Sequence, residues 1–309
     1  MKMASNADSH GLRTPVFTSP DSHRGGQVAR NTLKRYRRSI WAPFMRAIRE
    51  YRLLEDGDRV AVCISGGKDS MLMAVLFGEF LRHGWVDIGV EYLVMDLGYD
   101  AEALKSIKNN LQLLGISAHI KKAPIFEVVS AMGGNPCYPC ARMRRGALYE
   151  LAQDLGCNKI ALGHHYDDVI ETVLMGMLYG GKIKTMMPKL RSTNHLGMEL
   201  VRPLYLVREA DIVRWRDEGG LQFIHCACPL ATTCDDGSKR DEVKALIGQL
   251  SQTNPQVAAN IFHSVDNVNL DAVTGYSWAG EHHGFLEWYG APPMTNPVRG
   301  RDLSTEIDI

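Results

Sequence analysis

The chain has 309 residues, 45% of them hydrophobic and 23% charged, and its 35 basic residues balance 35 acidic ones. That composition excludes an intrinsically disordered chain and is that of a globular, enzyme-sized unit with one large or two modest cores. No apolar run approaches membrane-span length and the polar start, residues 1–27, has no hydrophobic signal region, so a cytoplasmic protein with no membrane partner is expected.

Residues 1–28 read as a disordered leader, polar and containing Pro, Gly and Ser. Residues 29–56 read as a basic helical segment broken at Pro43. Its Arg30, Lys34, Arg35, Arg37, Arg38, Arg46, Arg49 and Arg52, with Tyr36, Trp41 and Phe44 interleaved, fit either a solvated helical face or a footprint for RNA phosphates. Residues 57–235 alternate strands with helices. The strands predicted are Arg59–Ile64, Ile88–Asp96, Ala118–Lys122, Lys159–Leu162 and Glu199–Arg202; the helices are Ser70–Arg82, Asp100–Leu114, Arg142–Leu155, Asp168–Tyr179 and Arg208–Asp217. Gly84, Gly115 and Gly156 sit just past three of those helices, where a C-terminal cap needs positive φ. Residues 236–275 read as C-terminal helices, Ser238–Leu250 and Pro255–His263, and residues 276–309 as an irregular tail. The alternation predicts an α/β fold, a doubly wound, mainly parallel sheet with a helical N-terminal extension, binding ligands outside the carboxyl ends of its strands.

The loops at those ends carry the chemistry. Ser65-Gly66-Gly67-Lys68-Asp69-Ser70 lies between an apolar strand and a helix, a geometry that aims backbone N–H groups and the helix dipole at one anion, with Lys68 adding a mobile cation. It is not a Walker A box, because Val62 stands where that pattern needs glycine and Asp69 where it needs Ser or Thr. Asp96 ends the second strand, and Gly163-His164-His165-Tyr166-Asp167-Asp168 follows the fourth, placing two carboxylates suited to Mg²⁺ beside the phosphate loop. The hexapeptide in this setting resembles the pyrophosphate loop of the PP-loop ATP pyrophosphatase superfamily. That resemblance implies ATP cleaved between its α- and β-phosphates and a carbonyl oxygen adenylated, with Ser65, Gly66, Gly67, Lys68, Asp69, Ser70, Asp96, Gly163 and His164 around the nucleotide.

Seven cysteines without a secretion signal do not suggest a disulfide framework. Cys63 and Cys157 sit in apolar stretches and read as core. Cys137-Tyr138-Pro139-Cys140 reads as a loop pair at the start of a basic helix bearing Arg142, Arg144 and Arg145, and Cys226, Cys228 and Cys234 cluster further on. Spacing leaves zinc, an iron–sulfur cluster and a redox dithiol open. Taken with Gly180-Gly181-Lys182, Pro188-Lys189-Leu190 and Arg202-Pro203-Leu204, the cysteine motif and the histidine loop are similar to those of the tRNA 2-thiocytidine synthetase (TtcA-like) family, collinear from Trp41 to Val268. The resemblance implies a [4Fe–4S] cluster on Cys137, Cys140 and a third cysteine, Cys228, with Cys226 as the alternative because this chain has Cys-x-Cys where the family has Cys-x-x-Cys. It further implies catalytic roles for Lys68, Asp69, Cys137 and Cys140, Mg²⁺ at Asp167 or Asp168, a tRNA anticodon-loop cytidine as substrate, a sulfur donor such as a cysteine desulfurase, and a homodimer. A tRNA 2-thiouridine synthetase and a non-enzymatic, metal-containing RNA-binding protein are the competing readings.

Overall fold

The computed structural model describes residues 31, 34–132, 137–219, 223 and 239–289. The expected leader and Cys226, Cys228 and Cys234 lie outside the described residues, as do residues 290–309 of the expected tail. The chain divides into two compact units, Met1–Phe262 and His263–Ile309.

In the first unit six strands form one sheet: β1 (Arg59–Ile64), β2 (Gly89–Asp96), β3 (His119–Lys122), β4 (Lys159–Ala161), β5 (Lys189–Arg191) and β6 (Glu199–Val201). Their order is β3-β2-β1-β4-β6-β5, parallel throughout except for β5, which runs antiparallel to β6. The helices are α1 (Ala42–Glu50), α2 (Lys68–His83), α3 (Ala101–Leu114), α4 (Ile125–Met132), α5 (Cys137–Asp154), α6 (Tyr166–Gly180), α7 (Glu209–Gly219), α8 (Lys239–Thr253) and α9 (Val257–His263). The doubly wound arrangement follows from β1, whose alternation sends Val60, Val62 and Ile64 into one apolar cluster and Ala61 and Cys63 into another. The first cluster holds α1 and α2; the second holds Tyr149 and Ala152 of α5. Cys63 and Cys157 are core residues of that second cluster, and burial pushes their thiols up to about 12 and about 11. Since β2 lies on one side of β1 and β4 on the other, chain direction reverses between β1 and β4, and the crevice outside their carboxyl ends is where such sheets hold ligands.

Several elements differ from expectation for identifiable reasons. Pro43 does not break the N-terminal helix: it stands at the start of α1, after a wide turn over Arg37–Trp41 in which the Trp41 N–H reaches back to the Tyr36 carbonyl. Tyr36, Trp41 and Phe44 are buried, Phe44 meeting Phe77 edge-on at 5.9 Å, so they are core and leave only the charged face of this segment toward solvent. Helix α5 begins at Cys137, so the cysteine pair occupies a first helical turn instead of a loop. β5 and α4 were not anticipated, β5 because three residues with two cations carry no strand signal and α4 because its β-branched run follows a proline. Gly84, Gly115 and Gly156 take positive φ, as their positions after helices required.

In the second unit, β7 (Gly275–Trp278) and β8 (Glu281–Gly284) pair antiparallel and precede α10 (Leu286–Tyr289), where an irregular tail was expected. The two-residue turn Ala279-Gly280 has positive φ at both positions, the hairpin geometry usually announced by Asn-Gly, and the Tyr276 ring stacks on His283 at 4.9 Å.

Candidate active site

The phosphate loop is shaped by Ser70. Its hydroxyl accepts the Ser65 N–H at 3.1 Å and donates to the Gly67 carbonyl at 3.0 Å, while Gly66 turns the chain at φ +87°. No side chain caps Gly67, the residue before α2, so the first N–H groups of that helix face the crevice with only backbone around them. Gly163, after β4, lies so close to α2 that an added Cβ would stand 3.1 Å from Ser70 N. The glycine therefore lets the two loops touch, which brings the histidine motif against the phosphate loop.

Within that contact Lys68 Nζ lies 3.1 Å from Asp69 Oδ2 and 3.3 Å from Glu209 Oε1. Asp69 Oδ1 is buried without a hydrogen bond, 3.8 Å from His165 Nε2. His165 caps α6: its Nδ1 accepts the Asp168 N–H, and Asp168 Oδ2 accepts the His165 N–H at 2.9 Å. Asp168 Oδ1 also accepts a hydrogen bond from Arg240 at 2.7 Å, and Asp167 Oδ2 accepts the Glu209 N–H at 2.6 Å beside Arg208. The two carboxylates expected to hold Mg²⁺ thus brace helices, because helix starts and arginines reach them first. Asp69 Oδ1 is the carboxylate oxygen of this loop pair left for a cation. Among the described residues no group of three or more His, Cys, Asp or Glu side chains is arranged for a metal.

His164 is held neutral: burial, then the charge of Arg202, pulls its imidazole down to about 4, and its Nδ1 has no hydrogen bond. Burial likewise lowers the buried Arg202 to about 10. Asp96 is buried and its Oδ1 accepts the N–H groups of Gly98 and Tyr99 at 3.1 and 3.0 Å, so it closes the turn after β2.

Cys140 packs with Met95 and Leu97 at the carboxyl end of β2, next to the strand that delivers Ser65, since Ile64 pairs with Val94. Spacing of three on a helix puts positions 137 and 140 on one face, at an N-terminus that favours thiolates. Two thiols so placed, with thiolate as their accessible form, suit an iron–sulfur centre. Glu209, Arg240 and Lys244 were missed by the sequence reading, as each lies far along the chain from the loops it serves; the only local signal was that Glu209 opens a helix after Arg202-Pro203-Leu204. Lys189, expected to meet RNA, is engaged with Glu199 at 3.2 Å and the Arg52 carbonyl at 3.0 Å.

Among solved structures the chain resembles the U34-tRNA thiolase NcsA of Methanococcus maripaludis with its [4Fe-4S] cluster, at 21% identity and a TM-score of 0.59, over 76% of this chain and 80% of that one; this likeness speaks for the fold. The PP-loop domain family matches residues 37–228. The tRNA-cytidine(32) 2-sulfurtransferase of Pelobacter propionicus is 33% identical over 263 residues, 84% of this chain and 95% of that protein. The enzyme of the same name from Citrifermentans bemidjiense is 35% identical over 227 residues, 72% of this chain and 88% of that protein. A phosphate loop at β1, a capped histidine motif at β4 and this extent of similarity lead to one conclusion: the chain belongs to the PP-loop family and, within it, to the family of the tRNA-cytidine(32) 2-sulfurtransferases.

Proposed function

We propose that this chain is a tRNA-cytidine 2-sulfurtransferase that uses ATP to activate the C2 carbonyl oxygen of an anticodon-loop cytidine and replaces that oxygen by sulfur, giving 2-thiocytidine, AMP and pyrophosphate. The observation that carries the reading is the shared edge: an uncapped phosphate loop ends β1 and the Cys140 helix packs at the end of the neighbouring β2.

In this reading the α2 N–H groups and Lys68 hold the pyrophosphate end of ATP and offset the charge that grows on it as the C2 oxygen attacks the α-phosphate. Asp69 Oδ1 meets the nucleotide's Mg²⁺, and Asp167 and Asp168 keep the loop pair rigid. The target base leaves its stack to reach the crevice, which favours a single-stranded loop. Sulfide then attacks C2, and AMP leaves with the original oxygen. A [4Fe–4S] cluster on Cys137, Cys140 and Cys228, or Cys226, would supply bound sulfide beside the activated base. A sulfur donor such as a cysteine desulfurase, a second copy of the chain as dimer partner, and a cytoplasmic setting complete the proposal.

Nucleoside mass spectrometry of tRNA from a deletion strain tests it: 2-thiocytidine disappears. Loss of 2-thiouridine with 2-thiocytidine intact overturns it. Cys140→Ala should bleach the cluster absorption of anaerobically reconstituted protein while ATP binding persists.

A further inference from the structure

Lys68 is held on two sides before any nucleotide reaches it, by Asp69 at 3.1 Å and by Glu209 Oε1 at 3.3 Å. Glu209 belongs to neither loop motif. It opens α7, its backbone N–H fixed by Asp167 Oδ2 at 2.6 Å, and its second oxygen, Oε2, accepts a hydrogen bond from Lys244 Nζ on α8 at 2.5 Å. Lys244 lies one turn beyond Arg240, which binds Asp168 and Glu171, so α8 is itself tied to the histidine motif. One carboxylate thus bridges the cation of the phosphate loop and a second cation on a helix outside the matched family segment.

We propose that Glu209 is the positioning residue for Lys68: its carboxylate occupies the role of a phosphate oxygen toward Lys68 Nζ until ATP arrives, and Lys244 retains it when Lys68 turns to the nucleotide. This rests on the phosphate-loop reading above. A free lysine stem has many rotamers to lose on meeting a ligand; one held beside the helix N-terminus has fewer. The exchange leaves no uncompensated carboxylate, since Glu209 keeps Lys244 after Lys68 departs. Although burial pushes the Glu209 carboxyl up, the hydrogen bond from Lys244 and the charges of Lys68 and His165 outweigh it and hold it at about 2, so the counter-charge persists at any working pH.

The test is Mg·ATP affinity by calorimetry, with kcat and KM of tRNA-dependent pyrophosphate release, in the full chain and in Glu209→Gln, Lys244→Met and the double variant. Glu209→Gln removes a negative charge beside the triphosphate and should tighten ATP binding about fivefold. Its kcat should fall about tenfold, because Lys68 is no longer aimed. Lys244→Met, at an exposed position, leaves Glu209 to Lys68 alone and should weaken ATP binding severalfold. In the Glu209→Gln background the same change should do nothing, because Lys244 acts through Glu209. Unchanged affinity and kcat in Glu209→Gln, or additive effects in the double variant, would overturn the assignment. Should Glu209→Gln not fold, Lys244→Met decides by itself: affinity equal to wild type refutes the proposal. A wild-type chain that binds no ATP would instead refute the functional reading on which it rests.

Discussion

Replacing Ser70 by alanine removes one oxygen that makes three contacts: the Ser65 N–H at 3.1 Å, the Ser65 hydroxyl at 3.2 Å and the Gly67 carbonyl at 3.0 Å. Ser70 is 5% exposed, so water does not readily take the place of its hydroxyl near Gly67, whereas Ser65 is exposed and its N–H can turn to solvent. One buried group left unsatisfied costs about 1–3 kcal/mol and a hydrogen bond exchanged for water about 1 kcal/mol, which together give a loss of about 3 kcal/mol. That is well below the 5–15 kcal/mol typical of whole domains, so Ser70→Ala should fold. The loss falls on the shape of the loop, and 1.4 kcal/mol is a factor of ten, so kcat/KM for tRNA-dependent pyrophosphate release should fall about a hundredfold. Urea unfolding followed by circular dichroism, paired with the pyrophosphate assay, separates the two effects. A variant with kcat/KM within threefold of wild type would refute the idea that this hydroxyl shapes the phosphate site.

Gly163→Ala should lower stability by about 1–3 kcal/mol and weaken ATP binding, since its Cβ would press on backbone atoms of Ser70 and Asp69 at 3.1–3.3 Å; calorimetry and a urea midpoint check both. Lys159→Met strands the buried Asp58 carboxylate, which Lys159 Nζ meets at 2.7 Å, and should cost about 3–5 kcal/mol in urea while the folded fraction binds ATP normally, because β4 starts at the sheet edge away from the site. His164 has a folded pKa of about 4, below its ordinary 6.5, so the unfolded chain takes up the proton first. The stability it confers is complete above pH 6.5 and is lost as pH falls toward 4, by about 3 kcal/mol at most. The wild-type and His164→Gln urea midpoints should therefore converge over that range, and parallel profiles would show that the imidazole is not buried neutral.

The phosphate loop was legible because its parts are contiguous: an apolar run, two glycines, Lys68 and a helical period occupy neighbouring positions, and the hydrogen bonds that shape the loop close within Ser65–Ser70. The parallel strands were legible for the same reason, since strands buried on both faces read as near-continuous apolar runs. Tyr36, Trp41 and Phe44 were not, because an amphipathic helix with aromatics on one face looks alike whether that face meets RNA or a core, and contact with Phe77 and Phe80 of α2 settles it as core. Asp167 and Asp168 show the same ambiguity, a carboxylate pair at a helix start serving equally as metal ligands or as braces until Arg208, Arg240 and the Glu209 N–H are brought to them.

The order of residues alone was enough for the sheet's strands, the anion-binding turn and the family, because each is written in short-range periodicity or in unbroken motifs. The bridge from Lys68 through Glu209 to Lys244, the contact of Gly163 with α2 and the placing of Cys140 beside Met95 needed the packed molecule. They join segments distant in the chain whose meeting depends on which faces of α2, α5, α7 and α8 cover the sheet, and side-chain packing sets that with no trace in local spacing.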